Sequence, residues 1–149
     1  MDTLDLSGIA PVDTIQHEIL KPGGIEGTGW VWDILGPSHP KAIAYNEDQQ
    51  RKNLRRERQM EQQRQNGKKV VVEERTVEDQ KRDMALWLAS RVGGWNRSIK
   101  LIEVDPEPMA YSDDNVVKIL INPKMGWIFN QIVDVITADS SFTKTSVVA

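Results

Sequence analysis

The sequence predicts an α+β fold: a small N-terminal antiparallel β unit, a long charged helix and a C-terminal helical bundle. Three observations carry that reading. Apolar residues alternate with period two in two short stretches near the N-terminus. A run from Asn46 to Gln65 is almost wholly polar yet built from good helix formers. Near the C-terminus, Ile128, Ile132, Val135 and Ile136 recur at helical spacing. These divide the chain into a β unit at 1–40, a charged helix and linker at 41–75, and a helical domain at 76–149.

In the first region, Thr14 to Leu20 reads as a strand, with Ile15, His17 and Ile19 on one face. Lys21-Pro22-Gly23-Gly24 is a turn signal. Gly29 to Leu35 reads as the second strand, with Trp30, Trp32 and Ile34 on one face. Two strands are marginal in water, so they must pack on something else.

In the second region, Ser38 can cap a helix with Pro40 in its first turn. Only Tyr45, Leu54 and Met60 offer an apolar stripe, and Gly67 is placed to end the helix. A helix polar on all sides is solvent-bridging, held by a partner, or not stably formed. Val70-Val71-Val72 is a short β-prone run beyond it.

In the third region, Thr76-Val77-Glu78-Asp79 resembles a capping box with Asp in place of Glu. Val77, Met84, Leu88 and Val92 follow near helical spacing, with Gly93-Gly94 as the stop. Ile99 to Val104 reads as a strand before Pro106 and Pro108. Ser112 caps a helix over Asp113 to Ile121, whose first-turn acids suit the helix dipole and whose apolar face is Val116, Ile119 and Leu120. Asn122-Pro123 opens the last helix, which is expected to dock on the helix containing Trp87. Residues 140–149 read as a loosely held tail.

Composition narrows the function classes. The chain is long enough to bury a core without disulfides or metal. It has no cysteine, which removes disulfides, thiolate metal sites and cysteine nucleophiles. Its net charge of −3 gives no global basic field to attract nucleic acid or anionic lipid. No apolar run approaches the ~20 residues that span a bilayer, and the N-terminus lacks the pattern of a signal peptide. The expected location is the cytoplasm.

Catalytic and metal candidates each have a blander explanation. His17 and His39 lack metal-ligand spacing. The acids Glu73-Glu74, Asp105/Glu107 and Asp113-Asp114 sit beside loops and helix starts, where capping and solvation explain them. Gly23, Gly24, Gly27 and Gly29 lack the strand-to-helix context of a phosphate loop and suit a hairpin. No catalytic residue, metal ligand or cofactor is assigned.

Two surfaces remain as candidates for partner binding. One is the helix around Leu54 with the cations Arg51, Lys52, Arg55, Arg56 and Arg58. Basic side chains on a helix can track phosphates, but Glu47, Asp48, Glu57 and Glu61 interleave here and no aromatic platform accompanies them. A solvated or protein-binding helix is the weightier reading. The other is the Trp30/Trp32 pair, because tryptophan is enriched at interface hot spots. Burial against the helices is at least as good an account of that pair. Trp87 and Trp127 read as core, and Trp95 as a plug between helices.

The second half carries a further pattern. A charged helix leads into Ala89 to Trp95, then a loop with Asp105-Pro106, then Met109-Ala110-Tyr111-Ser112-Asp113-Asp114-Asn115-Val116-Val117-Lys118-Ile119-Leu120. Asn122-Pro123, an amphipathic helix through Ile136, and Asp139-Ser140-Ser141-Phe142 follow. This order resembles the tail assembly chaperones of long-tailed bacteriophages over some two thirds of the chain. Gly27-Thr28-Gly29 between strands suits members with a small β portion. One position departs: Ser141 stands before Phe142 where the family pattern has asparagine.

The resemblance implies a non-catalytic protein of the host cytoplasm. Such a protein coats the tape measure protein, keeps it soluble, helps recruit the major tail tube protein and is absent from the finished virion. The contact residues expected from composition are Trp30, Trp32, Leu54, Arg51, Arg55, Arg56 and Arg58. No membrane and no cofactor are expected, nucleic acid is disfavoured, and self-association is left open. Two rivals stand beside this reading: a nucleic-acid-binding regulator using the Arg51 to Arg58 helix, and a structural tail or connector subunit of the virion.

Overall fold

A computed structural model describes residues 3–5, 9–67, 75–138 and 142–145. Among these, a three-stranded antiparallel sheet and four α-helices make a mixed α+β architecture. Strands β2 (Thr14–Leu20) and β3 (Gly27–Leu35) form the hairpin expected from the alternation, with Thr14 opposite Leu35 and His17 opposite Trp32. Gly23 and Gly24 turn the chain at positive φ, a conformation open to glycine. The inward positions of β3 are Trp30, Trp32 and Ile34, all buried, while Val31 and Asp33 point the other way.

The β unit is not self-contained. Its third strand, β4 (Val92–Trp95), arrives from beyond helix α2 (Val77–Ala89) and pairs Trp95 with Trp32 and Gly94 with Asp33. Gly93-Gly94 therefore lies inside a strand rather than ending a helix. The helix stops earlier, at the Ser90 C-cap. A Cβ at Gly93 would sit 2.8 Å from the end of the Leu35 side chain, which would have to shift. A second, two-stranded sheet pairs β1 (Ile9–Pro11) with β5 (Thr143–Thr145). Part of the expected loose tail is thus held: Phe142 is buried, and its carbonyl accepts from the Val12 N–H at 2.7 Å. The other residues of that tail, and Val70-Val71-Val72, lie outside the described residues.

Arg91 joins the two sheets. Its Nε donates to the Leu35 carbonyl at 2.7 Å, and its guanidinium lies over the Phe142 ring, 5.2 Å from the centroid. Burial pushes its pKa down.

The helices cover one side of the three-stranded sheet. Helix α2 starts with the expected reciprocal box: the Asp79 N–H donates to Thr76 Oγ1, and the Thr76 N–H to Asp79 Oδ2. Helix α3 (Asp113–Leu120) is capped by Ser112 and buries Val116, Val117, Ile119 and Leu120. A 3₁₀ turn (Pro123–Met125) leads into α4 (Gly126–Thr137), which buries Ile128, Ile132 and Ile136. The docking differs from expectation: α2 packs on α3, while α4 packs on β2 and α3. Gln131 secures that seat, its amide accepting from the Leu20 N–H at 2.8 Å and donating to the Leu20 carbonyl at 2.9 Å. The apolar stripe expected on α2 is split. Leu88 is buried, but Val77 is 80% and Met84 44% exposed, because the sheet and α3 cover only the C-terminal half of that face.

The strand expected over residues 99–104 does not form. Ile99 makes a single antiparallel bridge to Met109, and the chain between them turns back through Leu101 and Asp105. Pro106 and Pro108 supply no N–H to a ladder, and Ile102 is exposed.

Candidate functional site

Helix α1 (Pro40–Gln65) has 26 residues, which makes it roughly 39 Å long at the usual helical rise. Its sequence explains its persistence. After Ile43 it contains no β-branched residue and no glycine, so it keeps high propensity over many turns. The N-cap is His39 rather than Ser38: His39 Nδ1 accepts from the Lys41 N–H at 3.1 Å, with Pro40 as the first helical residue. Ser38 instead donates to Asp13 Oδ1 at 2.7 Å. At the far end Asn66 caps the helix and Gly67 turns at positive φ.

Only the first turn of α1 is fastened to the body. Ala42 is the one buried residue of the helix. Beside it, Lys41 Nζ donates to the Val92 carbonyl at 2.7 Å, to Asp113 Oδ1 at 2.6 Å and to the Tyr111 hydroxyl at 3.0 Å. The Tyr111 hydroxyl lies 3.0 Å from both Val92 O and Asp113 Oδ1 and donates to one of them at a time. Burial acts to lower the Lys41 pKa, but the hydrogen bonds to Asp113 and Tyr111 outweigh it and hold the ammonium above its ordinary value. Burial pushes the Tyr111 phenol up, against the pull of Lys41. This clamp ties the start of α1 to β4 and to the N-terminus of α3.

Beyond the clamp the helix is largely exposed, with Tyr45, Gln49, Met60 and Gln63 half-buried. Leu54 is 53% exposed, and Arg51, Arg55, Arg56 and Arg58 are exposed with it. The one ion pair of this stretch among the described residues is Lys52 with Asp48, at 3.1 Å. Leu54 and the four arginines thus share one projecting segment, as the sequence suggested.

The tryptophans lie elsewhere. Trp30 is 5% and Trp32 0% exposed. They stack edge to face at 5.1 Å, and Trp95 meets them at 5.2 and 5.3 Å. Tyr111 continues the cluster at 5.4 Å from Trp95. The indole N–H groups of Trp30, Trp32 and Trp95 are buried without a hydrogen-bond partner. Trp30 and Trp32 therefore form a core rather than an exposed contact face, because the side of β3 on which they stand faces the hydrophobic core and meets Trp95. Trp95 is not the plug between helices that the sequence suggests: it stands on β4, half-buried beside Trp30, Trp32 and Tyr111.

The residues that mount α1 have no sequence signal. Lys41 is one of many lysines, and its partners Tyr111 and Asp113 stand about seventy residues away, so only the fold brings them together.

Among the described residues, no group of three His, Asp or Glu stands close enough to hold a metal ion. His17 Nε2 lies 3.3 Å from Gln131 Oε1, and His39 serves as a cap. An open depression of about 380 Å³ on the outer side of α2 is lined by Arg75, Gln80, Asp83, Met84 and Trp87, with Arg75 and Asp83 paired at its rim. No helix among the described residues is long and apolar enough to cross a membrane. Comparison with protein-family models, with curated proteins and with solved structures returns no match.

Proposed function

We propose that this chain is a non-catalytic tail assembly chaperone of a long-tailed bacteriophage. It works in the host cytoplasm, binds the long helical tape measure protein and helps recruit tail tube subunits. One observation carries the reading: a 26-residue helix fastened at its first turn and largely exposed along the rest. A helix of that length with so thin an apolar stripe has little to gain from its own body, which supports a role in holding a partner. The sequence order from Ala89 to Phe142, including the Tyr111-Ser112-Asp113-Asp114-Asn115 helix start, supports the family.

The mechanism is shielding. A tape measure protein exposes apolar helix stripes before the tail tube surrounds it. A chaperone that lays a helix along such a stripe lowers the exposed apolar area and supplies charge to the surface. The packed body behind α1 acts as the mount and adds bulk that keeps coated chains apart.

The test is a tagged pull-down from phage-producing cells, with nuclease treatment, read by mass spectrometry. The expected result is co-purification of a very long helical tail protein and the tail tube subunit, with the chain missing from mature particles. Nuclease-sensitive recovery of every partner contradicts the reading, and so does finding the chain as a stoichiometric component of purified tails.

A further inference from the structure

Four arginines of α1 are used by nothing in the described fold. Among the described residues, α1 forms two ion pairs, Lys41 with Asp113 and Lys52 with Asp48. Arg51, Arg55, Arg56 and Arg58 take part in none. The helix holds seven basic and four acidic residues, against twelve and eighteen in the rest of the chain. Positive charge is thus concentrated on the segment least attached to a negative body.

Helical geometry orders that charge. Each residue turns the helix by about 100°, so Ile43 and Leu54, three turns apart, fall on one line. Both are exposed, at 42% and 53%. Arg51, Arg55 and Arg58 run down one flank of that line at helical spacing, with Lys52 and Arg56 beyond them. Glu57 and Glu61 follow Leu54 at i+3 and i+7, along the line itself and its other flank. Around Leu54 the thin apolar seam thus has an arginine flank and a glutamate flank, with Asp48 on the basic side paired to Lys52 and Arg64 beyond Glu57 on the acidic side.

We propose that this face of α1 recognises a partner helix bearing an apolar line flanked by carboxylates. The inference rests on the assembly-chaperone reading and adds the chemistry of the segment that is bound. Arginine suits it, because its planar fork meets carboxylates two bonds at a time and is weakly hydrated. The apolar seam supplies contact area, and the flanks set orientation and register. Phosphates fit the same face less well. Glu57 and Glu61 stand beside the seam where a nucleic-acid backbone would lie, no aromatic residue follows Tyr45 in the helix, and the negative body opposes a polyanion. A second copy of α1 also fits less well: laid parallel, Glu61 on the seam would face its own counterpart, and laid antiparallel, the arginine flank would face itself.

The full-length chain is titrated, by fluorescence anisotropy at rising salt, with synthetic helical peptides sharing one apolar seam but carrying an acidic or a basic flank. A DNA duplex is the third probe. The acidic-flank peptide is expected to bind, with affinity falling as salt rises, while the basic-flank peptide does not bind. Replacing Arg51, Arg55 and Arg58 together by Gln is expected to weaken acidic-peptide binding by roughly tenfold. Leu54→Ser is expected to weaken it at every salt concentration. Circular dichroism of both variants verifies that the helix persists. Equal binding of the two peptides, binding of neither, or tighter binding of the duplex overturns the proposal. The chaperone reading is judged separately: if the triple Gln variant still captures the long tail protein as the parent does, only this inference fails.

Discussion

Helix α1 and the packed body obey different rules, although one chain builds both. In the body, each inward position of β3, α3 and α4 is filled by an apolar side chain, and the polar residues cap helices or pin loops. In α1, cohesion after the first turn comes mainly from backbone hydrogen bonds, propensity and the Lys52–Asp48 pair, because Ala42 is its one buried residue. The body resists substitution because neighbours have been fitted to one another. The projecting helix is expected to tolerate substitution because most of its side chains are exposed. That difference separates positions that govern stability from positions that govern binding.

Substitution should show the contrast at once. Trp32→Ala, at the centre of the aromatic cluster, is expected to cost about 3–5 kcal/mol, seen as a large fall in denaturant midpoint. Trp32→Phe should cost much less, because its indole N–H has no partner to lose. A small effect for Trp32→Ala would mean that the cluster does not hold the core, and the comparison would collapse.

Lys41 stands at the junction, so its removal should fall between the two regimes. Lys41→Met breaks three hydrogen bonds in a partly exposed clamp and is expected to cost about 1–2 kcal/mol. The helix itself should survive, with constant far-ultraviolet dichroism, while its orientation to the body loosens. A spin-label distance from α1 to α3 would register that as a broadened distribution.

The clamp also has a defined pH signature. The Lys41 pKa is raised in the folded chain, so its contribution is fully present below the ordinary ammonium value and is lost as pH rises through the folded value. The stability gap between parent and Lys41→Met should therefore stay constant over roughly pH 6 to 9 and shrink only on the alkaline side. A gap that closes near neutrality would point to another titrating group.

The capping box of α2 is a smaller effect of the same local kind. Thr76→Ala removes the bond to the Asp79 N–H and is expected to cost about 1 kcal/mol. Smallest of all, neutralising Arg55 or Arg58 should change stability by less than about 0.5 kcal/mol. A larger loss would show that these residues contact the body after all.

Much of the fold could be read from residue pattern, and the misses share a cause. β2, β3 and α3 follow from alternation and from an N-cap serine, which are local signals. β4 was hidden because Val92-Gly93-Gly94-Trp95 looks like the end of a helix; only the pairing with β3 makes it a strand. The seat of α4 is not local information for a related reason. A stripe announces that a helix packs, yet the choice between α2 and β2 depends on Gln131 meeting Leu20 more than a hundred residues away. For the candidate site, alternation put Trp30 and Trp32 on one face but could not tell whether that face points inward. The exposure of Leu54 and its arginines was legible because polar surroundings leave a helix nothing to bury.

The central claim is that α1 exists to hold another helical protein, and co-expression tests it most directly. On the proposed reading, the long tape measure protein that this chain would serve is produced alone, with the parent chain, and with a variant carrying Leu54→Ser and Gln at positions 51, 55 and 58. The account predicts that the long protein stays in the soluble fraction with the parent chain and is lost to the pellet both alone and with the variant. Equal solubility in all three cultures would contradict it.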